Sequence, residues 1–246
     1  MNQAMSQPML SVENLSAWYG AARILFDLNF EVGRGEVVAL MGRNGAGKST
    51  TMKTIMGLIA QRQGKVAFNG EDIAARQPYE IARRGLGFTP EDRRIFSDLT
   101  VLENLDIGRQ PPRSFPDGAP APFWTPERLF ALFPNLAEMP HRLGGRMSGG
   151  EQQMLTVART LMGNPLLVLL DEPSEGVAPL IVEQMAHTII ELKKEGLSIL
   201  LSEQNIHFAQ LVSDRVYVLE KGQVRWQGTM AQLSDSADIQ RAYLTV

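Results

Sequence analysis

The sequence predicts an α/β fold with a mainly parallel sheet, an antiparallel β region and an inserted helical lobe. Two short apolar runs indicate buried strands, LLVLLDE at Leu166–Glu172 and SILLSEQ at Ser198–Gln204. A helical pattern precedes each run, over Glu151–Met162 and over Leu180–Glu195. Short apolar runs that alternate with helices are typical of a parallel sheet covered on both faces. Ligands of such sheets bind at the carboxyl ends of the strands.

The N-terminal part carries the signal of the antiparallel region. Apolar and polar side chains alternate over residues 10–35 and glycines interrupt them, which indicates antiparallel strands that lead into a buried strand at Glu36–Met41. A helix is expected next, from Lys48 to Leu58, and then a short hairpin that turns at Asn69-Gly70. Near the other end, we expect a hairpin that turns at Lys221-Gly222 and a short helix after it.

Helical patterns replace strands in the middle of the chain, from about Glu91 to Met162. We therefore expect a single domain over residues 1–246. In it, residues 1–90 and 160–246 form the core with its antiparallel region, and approximately residues 91–159 form the helical lobe.

Prolines are concentrated inside this lobe, with seven of the fourteen between Gln110 and Pro134. Proline removes a backbone donor and blocks helix formation. The segment is therefore expected to be an irregular loop, which ends near Thr125 as the N-cap of a helix with Pro126 at its first position.

Composition limits the classes of function. The 246 residues are 44% hydrophobic, which is enough for one large domain. The absence of cysteine excludes disulfides and thiolate chemistry. A net charge of −3 argues against a nucleic-acid surface. Apolar runs such as Leu166–Leu170 are far below the roughly 20 residues that span a bilayer, and the first ten residues lack the pattern of a secretory signal.

A glycine-rich stretch between the first buried strand and the next helix has the pattern G-x-x-x-x-G-K-S. This strand–loop–helix setting is typical of a loop that cradles phosphates with its backbone N–H groups. In it, Lys48 supplies a positive charge for the β- and γ-phosphates, and the Ser49 hydroxyl binds Mg²⁺. The nucleotide-binding residues that we predict here are Gly42, Arg43, Asn44, Gly45, Ala46, Gly47, Lys48, Ser49 and Thr50.

Two adjacent carboxylates end the apolar run of the second buried strand. Asp171 and Glu172 would lie at the carboxyl end of the sheet, where the phosphate loop also lies. We expect Asp171 to hold Mg²⁺, directly or through water, and Glu172 to act as the general base that polarises the attacking water. A chain with this pair and a phosphate loop is predicted to hydrolyse nucleoside triphosphates.

The stretch MSGGEQQ at Met147–Gln153 has two interpretations from the residues alone. Ser148 and Glu151 have the spacing of a capping box, which needs no function to explain it. Gly149 and Gly150 would also leave backbone N–H groups bare at a helix N-terminus, an arrangement that binds phosphate. Both interpretations stay open, since one geometry serves both.

Three segments together resemble the ATP-binding subunits of ABC transporters: Gly42–Thr50, Met147–Gln153 and LLVLLDEP at Leu166–Pro173. The likeness covers essentially the whole chain and implies a P-loop NTPase core of the ABC ATPase type, with ATP and Mg²⁺ as ligands. It also implies that Ser148, Gly149 and Gly150 act in trans, on the γ-phosphate of an ATP that a second subunit holds.

Two further roles follow only from the resemblance. Tyr19, which would otherwise be assigned to the core, falls where an aromatic ring stacks on adenine. The loop Ser174–Gly176, otherwise a simple turn, falls where the chain crosses to the second subunit.

At two positions the sequence departs from the commonest family pattern. Glu91 stands where most members carry Gln near the Mg²⁺ site, and a carboxylate there could still reach the metal or its water. Gln204 stands where most carry a His that contacts the γ-phosphate. Gln can donate a hydrogen bond there but cannot exchange a proton near pH 7. Glu172 must then carry the base role, with Gln204 as a second catalytic group.

The segments around these departures, TPEDRRIF, DEPSEGVAP and LLSEQN, are similar to one branch, the smaller ATPase subunits of branched-chain amino acid importers. The resemblance implies an energy-coupling subunit at the cytoplasmic face of the inner (plasma) membrane. Its implied partners are a second ATPase subunit, identical or different, two transmembrane permease subunits and, indirectly, a periplasmic substrate-binding protein, with no nucleic acid. A regulatory nucleotide-binding module with slow or no hydrolysis, and the ATPase of a urea or amide importer, stay open as alternatives.

Overall fold

The structure is a computed structural model that describes residues 7–244. Residues 1–6, part of the stretch that shows no secretory signal, lie outside the described residues. In chain order, the strands are β1 Leu10–Tyr19, β2 Ala22–Val32, β3 Val37–Met41, β4 Gln61–Phe68, β5 Glu71–Asp72, β6 Leu86–Thr89, β7 Leu167–Asp171, β8 Ser198–Glu203, β9 Arg215–Glu220 and β10 Gln223–Thr229. The α-helices are α1 Lys48–Ile55, α2 Pro78–Arg83, α3 Val101–Gly108, α4 Pro126–Leu132, α5 Pro134–Ala137, α6 Gly149–Leu161, α7 Pro179–Lys194, α8 Ile206–Val212, α9 Met230–Asp235 and α10 Ala237–Tyr243, with a 3₁₀ turn at Gly144–Arg146.

Six strands form the central sheet in the order β10-β9-β3-β8-β7-β6. Every neighbouring pair is parallel except β9 with β10. Since side chains alternate along a strand, Val38 and Leu40 of β3 enter the core on one face, while Val37 enters the core on the other. The predicted α/β fold with a mainly parallel sheet is confirmed.

Strand β6 is an edge strand that pairs in parallel with β7, and it was not predicted from the sequence. Its four residues, LGFT, include a glycine and carry no apolar run, so local pattern does not distinguish them from loop. Strand β9 is one arm of the predicted C-terminal hairpin, but its parallel pairing with β3 depends on the tertiary structure.

A second sheet, with the order β2-β1-β4-β5, is antiparallel throughout. The hairpin between β4 and β5 turns at Asn69 and Gly70, as predicted, and both residues have positive φ, 54° and 82°. Positive φ at both central residues is the requirement of the two-residue turn that matches strand twist. Side chains of β1, β2, β4, α1 and one face of the central sheet form a common core.

Helix α1 is shorter than predicted, because it ends at Ile55 and not at Leu58. Gly57 has a φ of +73°, in the left-handed region, and the Leu58 N–H donates to the Lys53 carbonyl at 2.8 Å. A glycine in this conformation closes the C-terminus of a helix, so the prediction was wrong by three residues.

Between β6 and β7 the chain forms four helices, α3 to α6. Their first helix begins at Val101, and residues 91–99, which the prediction placed at the start of the helical lobe, are irregular. Thr100 is the N-cap of α3. Its side chain accepts a hydrogen bond from the Glu103 N–H, and the Glu103 carboxylate accepts one from the Thr100 N–H. This reciprocal capping box fixes the helix N-terminus.

The proline-rich segment between α3 and α4 is irregular, as predicted. Thr125 accepts a hydrogen bond from the Arg128 N–H and Pro126 opens α4, which confirms the predicted cap. Both ends of the segment are held by Asn164: its amide donates to the Gln110 carbonyl at 2.6 Å, and its Oδ1 accepts the Trp124 N–H at 2.8 Å.

The middle of the segment packs on the core below the antiparallel sheet. Phe115 is buried in the core that β1, β2 and β4 share with the central sheet. The Arg34 guanidinium lies 3.5 Å from the centre of the Phe115 ring and also pairs with Asp117 at 2.6 Å. The proline-rich segment therefore joins the helical region to the loop before β3.

Candidate active site

The predicted phosphate loop leaves β3 at Met41 and enters α1 at Lys48. Gly47 has a φ of +108°, which an L side chain rarely adopts, and a Cβ at Gly42 would collide with the Leu219 carbonyl. The Ala46 carbonyl accepts the Gly222 N–H at 2.9 Å, so the β9–β10 turn supports the loop from below. The tip, Arg43 to Gly45, is exposed.

Lys48 is almost fully buried beneath this loop. Its ammonium donates to the carbonyls of Gly42 and Arg43, at 2.8 Å and 3.2 Å. It also lies 3.0 Å from Glu172 Oε1, and the two side chains are 3% and 6% exposed. A buried charge needs such partners, and the loop carbonyls and one carboxylate supply them here.

Asp171 ends β7 beside the start of α1. Its Oδ1 accepts hydrogen bonds from the hydroxyls of Ser49, at 2.9 Å, and Ser202, at 2.6 Å. Its Oδ2 is buried with no hydrogen-bond partner among the described residues. Burial raises the pKa of the Asp171 carboxyl, although the two hydroxyl hydrogen bonds act the other way. A buried carboxylate oxygen without a partner, next to a serine hydroxyl, is the kind of hard oxygen donor set that Mg²⁺ takes, so these residues fit the ion.

Glu172 follows in a left-handed conformation, with a φ of +49°. Its N–H is held by the backbone and side-chain oxygens of Ser202, both at 3.1 Å. Burial by itself would raise the pKa of the Glu172 carboxyl, but hydrogen bonds with Glu175 and Lys48, the Lys48 charge and the Gln204 amide outweigh it, so that its pKa is lowered. The group is therefore kept as a carboxylate near neutral pH, the form that a general base needs.

Gln204 bridges the two sides of the site. Its side-chain amide donates to Asn44 Oδ1 at 2.7 Å and to Glu172 Oε2 at 2.8 Å. The structure thus brings five predicted residues into one hydrogen-bonded group, which we call the carboxylate cluster: Lys48, Ser49, Asp171, Glu172 and Gln204.

Tyr19, Glu91 and the predicted phosphate contacts of α6, Ser148 to Gly150, make no hydrogen bond or ion pair with this cluster within residues 7–244. Tyr19 ends β1 and is 50% exposed, so it is not a core residue. Glu91 is exposed on the segment after β6, and its charge helps to raise the pKa of Glu175. Ser148 accepts the Glu151 N–H and its own N–H donates to the Glu151 carboxylate, so the capping box is present.

The two glycines of the α6 N-terminus allow close packing. A Cβ on Gly149 would meet a guanidinium nitrogen of Arg93 at 2.8 Å, and a Cβ on Gly150 would meet Ile181 Cγ1 at 2.7 Å. The segment after β6 and the start of α7 therefore lie directly against the α6 N-terminus. The contact with Ile181 leaves little room for a side chain at Gly150, whereas the Arg93 side chain can move away from position 149.

The pKa of Glu175, an exposed carboxyl next to Glu172, is raised. Its hydrogen bond with Glu172 is the largest cause, burial and the charges of Glu172 and Glu91 add to it, and together they raise the pKa of Glu175 to about 7. Two carboxyls that share one proton titrate as a pair.

Sequence reasoning missed two residues at the end of β8, Ser202 and Glu203. Ser202 contacts both acidic residues, as described above. Glu203 is 2% exposed, and burial raises the pKa of its carboxyl, although hydrogen bonds from Ser174, Asn205 and Gln204 oppose the shift. The signal was available, since a serine and a glutamate at the end of an apolar run are unusual in a buried strand.

Comparison with known proteins decides the family. The sequence profile of the family described as ABC transporter matches residues 25–175, more than half of the chain. The chain belongs to the ABC transporter family. It is an ATP-binding subunit of that family, and the resemblance predicted from the sequence is confirmed.

Among ABC relatives, the chain is 41% identical to the high-affinity branched-chain amino acid transport ATP-binding protein BraG of Pseudomonas aeruginosa, over 96% of this chain and 99% of BraG. It is 34% identical to the lipopolysaccharide export system ATP-binding protein LptB of Haemophilus influenzae, over 96% and 97%. A solved ATP-binding cassette of an ABC transporter in its ADP conformation superposes with a TM-score of 0.78 at 28% identity, over 96% and 97%. Within residues 7–244 the ABC subunit has no helix long and apolar enough to span a membrane.

Proposed function

We propose that this ABC subunit hydrolyses ATP to drive an importer of branched-chain amino acids. The observation that carries the hydrolytic part is the carboxylate cluster, in which one buried ammonium, two carboxylates and a donor amide converge at the phosphate loop. The substrate class is supported by the 41% identity with BraG, against 34% with LptB.

Mg²⁺ would be held by the Ser49 hydroxyl and Asp171 Oδ2, the oxygen that has no partner in the described residues. Glu91, exposed on the segment after β6, is our third candidate ligand, directly or through water. When bound, Mg²⁺ would offset the negative charge of the phosphate oxygens while the γ-phosphoryl group is transferred to water.

Lys48 and Glu172 have linked roles in this mechanism. The ammonium that now contacts Glu172 is the one that must contact the β- and γ-phosphates, so ATP competes with the carboxylate for it. Glu172 released in this way accepts a proton from the attacking water. Gln204 lies 2.8 Å from Glu172 and donates a hydrogen bond, which orients the base or a phosphate oxygen without exchanging a proton.

Each reaction centre would be completed by a second ATPase subunit. The exposed Ser148 and the N–H groups of Gly149 and Gly150 would contact the γ-phosphate held by that subunit, Tyr19 would stack on adenine, and Ser174–Gly176 would cross between subunits. The ATPase pair would sit at the cytoplasmic face of the inner membrane against two permease subunits, fed by a periplasmic binding protein.

A complementation assay tests the proposal. Lys48→Ala and Ser148→Arg variants should each be inactive as steady-state ATPases. A mixture should recover up to about a quarter of wild-type turnover, since half of the dimers are mixed and each of these has one intact centre of two. No recovery would overturn completion by a second copy, and full activity of a strictly monomeric preparation would overturn the two-subunit centre altogether.

Substrate and partner are tested separately. Purification from membranes should recover two permease chains, and ATPase activity of that complex should rise with leucine or isoleucine and their binding protein. Stimulation by urea or short amides instead would favour the alternative importer. Turnover no faster than that of Glu172→Gln would favour a regulatory module with slow or no hydrolysis.

A further inference from the structure

We propose that Glu203 is a positioning residue that locks the loop after β7 to the loop after β8 and thereby places Gln204 against Glu172. The inference rests on the proposed ATPase function and adds to it a residue that the mechanism above does not use. Glu203 is the last residue of β8 and is 2% exposed.

The Glu203 carboxylate accepts hydrogen bonds from three backbone N–H groups. Oε1 accepts the Ser174 N–H at 3.1 Å, and Oε2 accepts the N–H groups of Gln204 and Asn205, both at 3.1 Å. Glu203 forms no ion pair with a Lys, Arg or His in the described part of the chain. A buried carboxylate without a cation is costly, and three N–H donors are what offsets that cost.

The two loops that Glu203 joins have different tasks. Ser174 opens the loop that we expect to cross to the second subunit. Gln204 contacts Glu172 and Asn44 through its side chain, and Asn205 caps α8 by accepting the Phe208 N–H at 3.1 Å. If the second subunit moves Ser174, the Glu203 carboxylate would therefore transmit that movement to Gln204, whose side chain contacts Glu172.

Only a carboxylate of this length satisfies the three donors. A carboxylate has two acceptor oxygens and no hydrogen, whereas an amide would turn its NH₂ towards one of the two loops. Glu203→Gln thus keeps size and shape while it breaks the link on one side. Glu13→Gln is the matched control, because Glu13 is an exposed carboxylate whose pairing with Lys65 is also exposed and 3.8 Å long.

The experiment compares full-length wild type, Glu203→Gln and Glu13→Gln. A fluorescent ATP analogue gives the nucleotide Kd and a steady-state assay gives kcat. Glu203→Gln should lower kcat by about 10- to 100-fold, as a small misplacement of a catalytic group does, with Kd changed less than about threefold. Glu13→Gln should match wild type. A kcat for folded Glu203→Gln within about twofold of wild type would overturn the proposal.

A double-mutant cycle with Gln204→Ala separates positioning from plain stability. If Glu203 acts through Gln204, then Glu203→Gln should lower kcat by less than about threefold in the Gln204→Ala background. If the double variant instead lowers kcat by the product of the two single reductions, Glu203 does not act through Gln204 and the proposal is overturned.

Two further readouts cover failure of the variant or of the ATPase itself. Hydrogen exchange of the wild type should show the amides of Ser174, Gln204 and Asn205 protected by at least about tenfold over an unstructured peptide, and absence of protection would overturn the link.

If Glu203→Gln does not fold, Glu203→Asp is measured instead. It keeps the charge but is one methylene too short for both loops, so kcat should fall at least about fivefold, and an unchanged kcat would overturn the role. If the wild type shows no turnover, the proposed function fails, and the exchange measurement still decides whether Glu203 joins the loops.

Discussion

The ammonium of Lys48 lies 3.0 Å from the carboxylate of Glu172, and the two side chains are 3% and 6% exposed. One is expected to bind phosphate and the other to activate water, so the two principal groups of the reaction neutralise each other in this structure. Breaking a buried ion pair by removing one partner is costly, because the remaining charge stays buried. Stability and catalysis are therefore linked at this pair.

Because the Lys48–Glu172 ion pair serves both stability and catalysis, Lys48→Met should destabilise the protein as well as weaken ATP binding. Urea unfolding at pH 7 should show a loss of about 3–5 kcal/mol, because Glu172 is left charged and unpaired. The pKa of Glu172 is lowered in the folded wild type, so the ion pair adds stability above the ordinary glutamate pKa and loses it as pH falls through the lowered value. The penalty of Lys48→Met should therefore shrink in acid.

The control for that experiment is the double variant Lys48→Met with Glu172→Gln. It removes both charges and should recover most of the lost stability. Equal instability of the single and double variants would show that the pair is not the cause.

Glu172→Gln alone should abolish turnover while it preserves ATP binding. Loss of a positioned general base costs about 10²–10⁴-fold in kcat, and the amide can still accept from Gln204. Steady-state hydrolysis and nucleotide titration measure the two effects, with Glu13→Gln as the exposed control. A variant that hydrolyses as fast as wild type would remove Glu172 from the mechanism.

Asp171→Asn should stabilise the protein in the absence of metal. Burial raises the pKa of Asp171, so the folded state resists the charged form, and a neutral amide avoids that cost. Thermal unfolding in EDTA at pH 7 should shift up by about 2–4 °C, which corresponds to about 1 kcal/mol for a chain of this size.

The difference in unfolding temperature between Asp171→Asn and wild type should become smaller as pH falls. A carboxyl with a raised pKa binds its proton in the folded state first, so wild-type stability rises as pH drops from the raised value towards the ordinary aspartate pKa. Adding Mg²⁺ with ATP should raise the unfolding temperature of wild type but not of the variant. An equal rise in both would exclude Asp171 as a metal ligand.

Glu175→Gln should remove a pH dependence of stability near neutrality. The pKa of Glu175 is raised to about 7, chiefly by its hydrogen bond with Glu172, so the shared proton is present below that pH and lost above it. Wild-type stability should therefore fall as pH rises from 6 to 8, and that of Glu175→Gln should fall less. Parallel unfolding curves for the two proteins across this range would contradict the shared proton.

Phe115→Ala tests how the proline-rich segment is held. Phe115 is 5% exposed within the core, so its truncation should cost about 3 kcal/mol in urea unfolding. Asp117→Asn removes the charge of an exposed ion pair with Arg34 and should change the free energy of unfolding far less. Equal, small effects would mean that the segment is not anchored on the core.

The sequence by itself determined the local elements of the site. The glycine spacing of residues 42–47 requires a loop that few other sequences can form, and the apolar run before Asp171 requires a buried strand with polar groups at its end. The capping box at Ser148 is equally local, since its partner Glu151 lies three residues away. Each of these features depends on neighbours in the chain, which is why pattern alone predicts it.

Tertiary structure alone decided which groups meet. Ser49 and Asp171 are 122 residues apart, Gln204 and Asn44 are 160 apart, and only the strand order β3-β8-β7 brings their ends together. The same holds for the pairing of Lys48 with Glu172, for the edge strand β6 and for Phe115 under Arg34. A contact between distant residues depends on how sheets and helices pack, because burial of apolar faces selects the arrangement and the polar side chains are carried with it.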